Sequence, residues 1–120
     1  MEQLKVFAHQ LYECRKGVRS MALCTLYDDL LVIALNKIKV ANLSHFVYPV
    51  TDNKYNLFFG KKECIQMVEQ FCNKPLNQLS IEEDFMLGAI LGYGIEEQCQ
   101  RYLFKKKQFK KASKISKLKY

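Results

Sequence analysis

Five cysteines, two histidines and one run of three carboxylates are the side chains of this 120-residue chain on which covalent or metal chemistry could rest. Cys14, Cys24, Cys64, Cys72 and Cys99 are widely spaced, and none forms a C-x-x-C pair. A zinc site wants four thiolate or imidazole ligands, usually supplied as close pairs, and His9 and His45 pair with no neighbouring cysteine. The spacing predicts free thiols in a reducing cytoplasm, with no metal and no cofactor. A reactive thiol would need a thiolate-stabilising environment, which spacing alone does not reveal.

Glu82, Glu83 and Asp84 could suggest acid–base or metal chemistry, but they follow Ser80 in the pattern of a capping box. Carboxylates in a first helical turn stabilise the helix dipole whatever else they do. His9 and Glu13 are four apart, close enough to pair on a helix, with Arg15, Lys16 and Arg19 following. A surface ion pair accounts for them; a functional basic patch is the sharper alternative. Phe58-Phe59-Gly60-Lys61-Lys62 sets a glycine and two lysines before a helix start, where amides can bind phosphate. The full phosphate loop needs more glycine and a Ser or Thr after its lysine, and here Glu63 follows. Gly88-x-x-x-Gly92 is read as close packing of two helices. No Ser/His/Asp or Cys/His grouping has a spacing that argues catalysis, although residues that meet only after folding escape such a test.

Charge is unevenly placed. Residues 101–120 hold nine of the 19 basic residues and none of the 12 acidic ones, so the net charge of +7 belongs to the C-terminal end and residues 1–100 stand at −2. Lys105, Lys106, Lys107, Lys110 and Lys111 open a run that could hold nucleic acid, anionic lipid or an acidic protein by charge alone. A solvated tail without a dedicated partner is the plain alternative. The longest apolar runs, near 30–35 and 85–91, fall far short of the roughly 20 residues that cross a bilayer. The first residues show no basic segment leading into an apolar one, so the expected location is cytoplasmic.

These groups need elements to position them. Leu4, Phe7, Ala8, Leu11 and Cys14 recur at helical spacing, with a hairpin turning at Arg15-Lys16-Gly17 as the competing reading. Val18 to Leu26 reads as a strand buried on both faces, and hence central in a sheet. Asp28 and Asp29 would cap a crossover helix running to Val40. His45 to Val50 and Tyr55 to Phe59 form a hairpin across Thr51-Asp52-Asn53-Lys54. Helices follow over about 62–72, from Ser80 to Leu91 (apolar nearly all round, hence deeply buried), and from Ile95 to about Lys105. The expected architecture is one α+β domain over residues 1–104, a small mixed sheet of about three strands packed by four or five helices. A flexible lysine-rich tail over 105–120 follows it.

Two segments resemble a known family. His9-Gln10-Leu11-Tyr12-Glu13-Cys14-Arg15-Lys16-Gly17-Val18-Arg19 is similar to the opening of a small bacterial family of unknown function, of Bacteroidetes and epsilon-proteobacterial type. Glu82-Glu83-Asp84-Phe85-Met86-Leu87-Gly88-Ala89-Ile90-Leu91-Gly92-Tyr93, continued by Gln98-Cys99-Gln100-Arg101-Tyr102, is the second. The resemblance covers about residues 3–103 and departs at Gly94, where the family pattern has an acid. It implies genes placed beside flavodoxins, and hence a non-enzymatic accessory role around an acidic flavin protein. His9, Glu13, Arg15, Lys16, Arg19 and Tyr93 are then the candidate binding surface. Nucleic-acid binding through the tail and a small enzyme with a site assembled from distant residues are the alternatives.

Overall fold

The computed structural model describes residues 2–118. Its elements run α1 (Glu2–Arg15), β1 (Met21–Tyr27), α2 (Asp28–Val40), β2 (Ser44–Pro49), β3 (Lys54–Gly60), α3 (Lys62–Phe71), a 3-10 turn (Leu76–Gln78), α4 (Ile81–Ile90) and α5 (Ile95–Leu118). The class is α+β, with three strands in the order β1-β3-β2. Leu57, Phe58 and Phe59 explain that order. They form an apolar run without alternation, and such a run leaves water only where both faces of the sheet are covered. All three are fully buried on the central strand.

On one face Ala22, Cys24, Leu26, Leu57 and Phe59 meet Phe7 of α1 and Leu31, Ala34 and Ile38 of α2. The Phe7 and Phe59 rings lie 5.2 Å apart. On the other face Met21 and Phe58, with Leu23 and Phe46, meet Ile65, Val68 and Phe71 of α3 and Leu87 of α4. In-register rows cross the sheet on this second face: Leu23, Phe58 and Phe46 in one, Thr25, Asn56 and Tyr48 in the next.

β1 therefore lies at an edge, not at the centre as its two-sided burial suggested. Helices bury its first face along its length, at Ala22, Cys24 and Leu26, but its second face fully only at Met21; Leu23 is half-buried and Thr25 and Tyr27 are exposed. It also begins at Met21: Val18 is 74% exposed, in the turn that follows α1. β1 and β2 do run in the same direction, but β3 inserts between them, so both ladders are antiparallel and no parallel pair of the expected mixed sheet forms. The opening segment is helical, which excludes the competing hairpin. Asp28 and Asp29 occupy the first turn of α2, while the capping position falls to Tyr27, which makes no side-chain cap bond. They favour the helix dipole from that turn without capping it, and Asp28 also hydrogen-bonds the Tyr55 hydroxyl on β3.

Helix ends follow a common device. Gly17, Asn42 and Gly92 have φ of +77°, +58° and +84°. In each case the next residue's amide reaches back to a carbonyl one turn up the helix: Val18 to Glu13, Leu43 to Ile38, Tyr93 to Gly88. These are Schellman closures, which need a residue that tolerates the left-handed region. Gly92 thus serves to end α4 rather than to admit a neighbouring helix.

Gly88 does admit one. A Cβ there would collide with the side chain of Gln98 on α5, which is only 6% exposed. The rest of α4 is less covered than its composition implied, with most of its apolar residues half-buried, because α5 packs along one side and α3 touches it little. α5 itself continues past the expected end at Lys105 as far as Leu118.

Gly88→Ala is expected to lower stability by about 1–2 kcal/mol through overpacking against Gln98. In a Gln98→Ala background the same change should be neutral or stabilising, because alanine favours the helix. Urea denaturation of the two single variants and the double variant measures this coupling.

Candidate functional site

Two Schellman ends build a cleft of about 390 Å³ between the C-termini of α1 and α4, and Glu13, Arg19, Leu91, Gly92 and Tyr93 are among its lining residues. Arg19 spans it. One guanidinium nitrogen donates to Glu13 Oε1 at 3.2 Å, and another lies 3.5 Å from the carbonyl oxygen of Leu91, 72 residues away in sequence. Leu91 caps α4, where carbonyls lack helical partners and a cation is favoured. Arg19 Nε is buried without a hydrogen-bond partner among the described residues. Arg19 thus ties the α1–β1 turn to the end of α4, and its positive charge is balanced by Glu13.

Of the six sequence candidates, Glu13, Arg19 and Tyr93 meet in this cleft. His9 adjoins it through Glu13, its Nε2 lying 3.6 Å from Oε1. Arg15 and Lys16 are exposed and do not line it; the Lys16 ammonium sits 5.6 Å from the Tyr12 ring centroid. Tyr93 is 55% exposed, set out from the core by the closure of α4 at Gly92. The cleft offers an ion pair and a phenol. Burial pushes the Cys14 thiol up against the opposing pull of Arg19, and it pushes Cys24 to about 12 and Cys72 to about 11. Such thiols stay protonated near neutrality. Among the described residues no three His, Cys, Asp or Glu side chains are grouped to hold a metal ion.

The three carboxylates at the start of α4 do more than cap. Glu83 completes the capping box, accepting from the Ser80 amide at 2.8 Å while its own amide donates to Ser80 Oγ at 3.1 Å, and it also accepts from Lys74 at 2.7 Å. Asp84 takes two bonds from Arg101, at 2.8 and 3.1 Å, and an ion pair with Lys105 at 3.2 Å. Glu82 accepts from Tyr102 at 3.0 Å and from Lys106 at 2.9 Å. The Phe85 and Tyr102 rings meet edge to face, 5.9 Å apart. Arg101 and Lys105 hold the Asp84 carboxyl below its ordinary range, and Lys106 and Tyr102 do the same for Glu82. The capping box was legible in sequence; this clamp was not, because its partners lie 17 to 24 residues further on.

The clamp divides the basic end. Arg101, Lys105 and Lys106 are neutralised on α4, whereas Lys107, Lys110, Lys111 and Lys114 form no ion pair among the described residues. Those four stand where α5 runs past the N-terminus of α4, an overhang over residues 107–118 of about 18 Å at 1.5 Å per residue. Phe109 lies among them and is 66% exposed.

The sequence model of a family described as a protein of unknown function, DUF2023, matches residues 5–105. None of the curated proteins searched matches the chain.

The lowered pKa of Asp84 predicts how the clamp responds to acid. A carboxylate depressed in the folded state lends stability that is full above its unfolded pKa and is lost as pH falls through its folded one. Stability should therefore decline below the ordinary carboxylate range, near pH 4, as Asp84 and Glu82 protonate. Asp84→Asn should cost about 1 kcal/mol at pH 7 and flatten this acid limb. Urea midpoints of wild type and variant from pH 7 down to pH 3 provide the comparison.

Proposed function

The chain belongs to the DUF2023 family, proteins of unknown function, and we propose that it works as a non-enzymatic accessory or binding protein for an acidic partner. The observation that carries this reading is the overhang of α5, where Lys107, Lys110, Lys111 and Lys114 present positive charge to solvent around Phe109. An exposed aromatic ring framed by lysines suits an acidic protein surface with an apolar depression, charge steering the encounter and the ring anchoring it. The resemblance to a family encoded beside flavodoxins makes flavodoxin the partner to try first. The cleft at Glu13, Arg19 and Tyr93 is a separate place on the molecule. Ile95 and Lys111 are about 24 Å apart along α5, so the cleft joins the contact only with a partner large enough to reach it.

Nucleic acid is the second reading, since the same lysines face a phosphate backbone equally well. The clamp weakens it, because Lys105 and Lys106 already serve Asp84 and Glu82.

Calorimetric titration of flavodoxin into the full chain and into a 1–106 truncation, which keeps the clamp, tests the proposal. Truncation is expected to weaken binding at least about tenfold, as loss of close charge pairs does, while the far-ultraviolet spectrum still shows a folded α+β domain. Equal affinity for both forms would remove α5 from the contact. Absent flavodoxin binding, together with duplex DNA binding whose log–log salt slope is about −0.9 per phosphate, would favour the second reading.

A further inference from the structure

The helices on the second face of the sheet cover the row Leu23, Phe58, Phe46 but leave the next row, Thr25, Asn56, Tyr48, as the floor of a separate cavity of about 290 Å³. This size is at the lower end for small-molecule sites. Its walls are Pro49 and Val50 at the end of β2 and Pro75 and Leu76 entering the 3-10 turn. Lys54 and Asn77 complete the lining, to which no Asp or Glu contributes.

Asn56 is the residue that packing does not explain. It occupies the central strand next to three fully buried apolar residues and is itself only 7% exposed. Asparagine is disfavoured in strands, and a buried amide is costly unless its hydrogen bonds are met. Thr25 Oγ1 donates to Asn56 Oδ1 at 2.8 Å. That bond occupies the amide oxygen and orients the group, leaving two N–H donors for other partners. Valine or phenylalanine would serve the sheet better at this position, so the polar side chain has another role.

We propose that this cavity binds a small carboxylate with a flat apolar body. The carboxylate accepts from the Asn56 amide and the Lys54 ammonium, a charge-assisted arrangement in a lining free of competing acids. The body lies between the proline and leucine walls, with the Tyr48 ring beside it. Nothing in this depends on the overhang of α5, which lies on other elements, so either idea can fail without the other.

Benzoate is the probe, with benzamide as its neutral counterpart of the same shape, titrated into the ¹⁵N-labelled full chain and followed by ¹H–¹⁵N spectra. Benzoate is expected to shift the backbone signals of Thr25, Asn56, Leu76 and Asn77 and the side-chain amide of Asn56. Benzamide should bind about tenfold more weakly, the worth of one charge-assisted hydrogen bond. Lys54→Gln should cost benzoate a similar factor. Asn56→Asp, which sets a negative charge on the floor, should abolish binding while signals remote from the cavity keep their positions. Equal affinity for benzoate and benzamide, benzoate shifts confined to the lysines of α5, or no shift at millimolar benzoate would each overturn the assignment.

Discussion

Three consecutive apolar side chains on β3 must leave water on opposite faces of the sheet, and the architecture follows from that requirement. Leu57 and Phe59 point to one side and Phe58 to the other, as alternation along a strand dictates. One face needs α1 and α2, the other needs α3 and α4, and a three-stranded sheet thereby acquires a core on each side. The edge strand β1 is buried on its first face and, at Met21, on its second for the same reason, although it has only one strand neighbour. Coverage of the second face is fuller toward the Gly60 end and stops short at Asn56, which leaves a cavity over the polar row of Thr25, Asn56 and Tyr48.

The second cohesive unit is the α4–α5 pair, which is held by sterics and charge more than by an apolar seam. Gly88 lets α5 come close enough for Gln98 to be buried against it. At the other end of α4, Glu82 and Asp84 grip Tyr102, Arg101, Lys105 and Lys106. Exposed ion pairs are individually weak, but a bidentate arginine within a network has better geometry than most. The consequence for function is a sorting of lysines. Those within reach of α4 are spent on the fold, and those beyond it remain available to a partner. Counting basic residues along the chain treats the two groups alike and overstates the free charge.

Arg19 shows how a side chain that reads as part of a binding surface can also tie the fold together. It sits in a cleft with Glu13 and Tyr93, as a binding surface would require, yet its donors reach a carboxylate and the carbonyl that ends α4. The α1–β1 turn and the α4–α5 turn are consequently joined near their glycine closures, and Tyr93 is presented from a fixed base.

Local chemistry was enough to determine much of this protein. The helical stripe of Leu4, Phe7, Leu11 and Cys14, the glycine that ends α1, the capping box at Ser80 and Glu83, the turn at Thr51 to Lys54 and the close helix contact at Gly88 all rest on interactions within a few residues or on the absence of a Cβ. So does the class, a small α+β domain. The tertiary structure alone decided the position of β1, the insertion of β3 between β1 and β2, the pairing of α4 acids with α5 bases, and the convergence of Glu13, Arg19 and Tyr93. Each of these joins residues far apart in sequence, and burial on two faces, a free lysine or an exposed arginine looks the same along the chain whichever partner the fold supplies. Asn56 belongs to this second group: in sequence it is a polar residue inside a strand, and only the uncovered half of the sheet makes it the floor of a cavity.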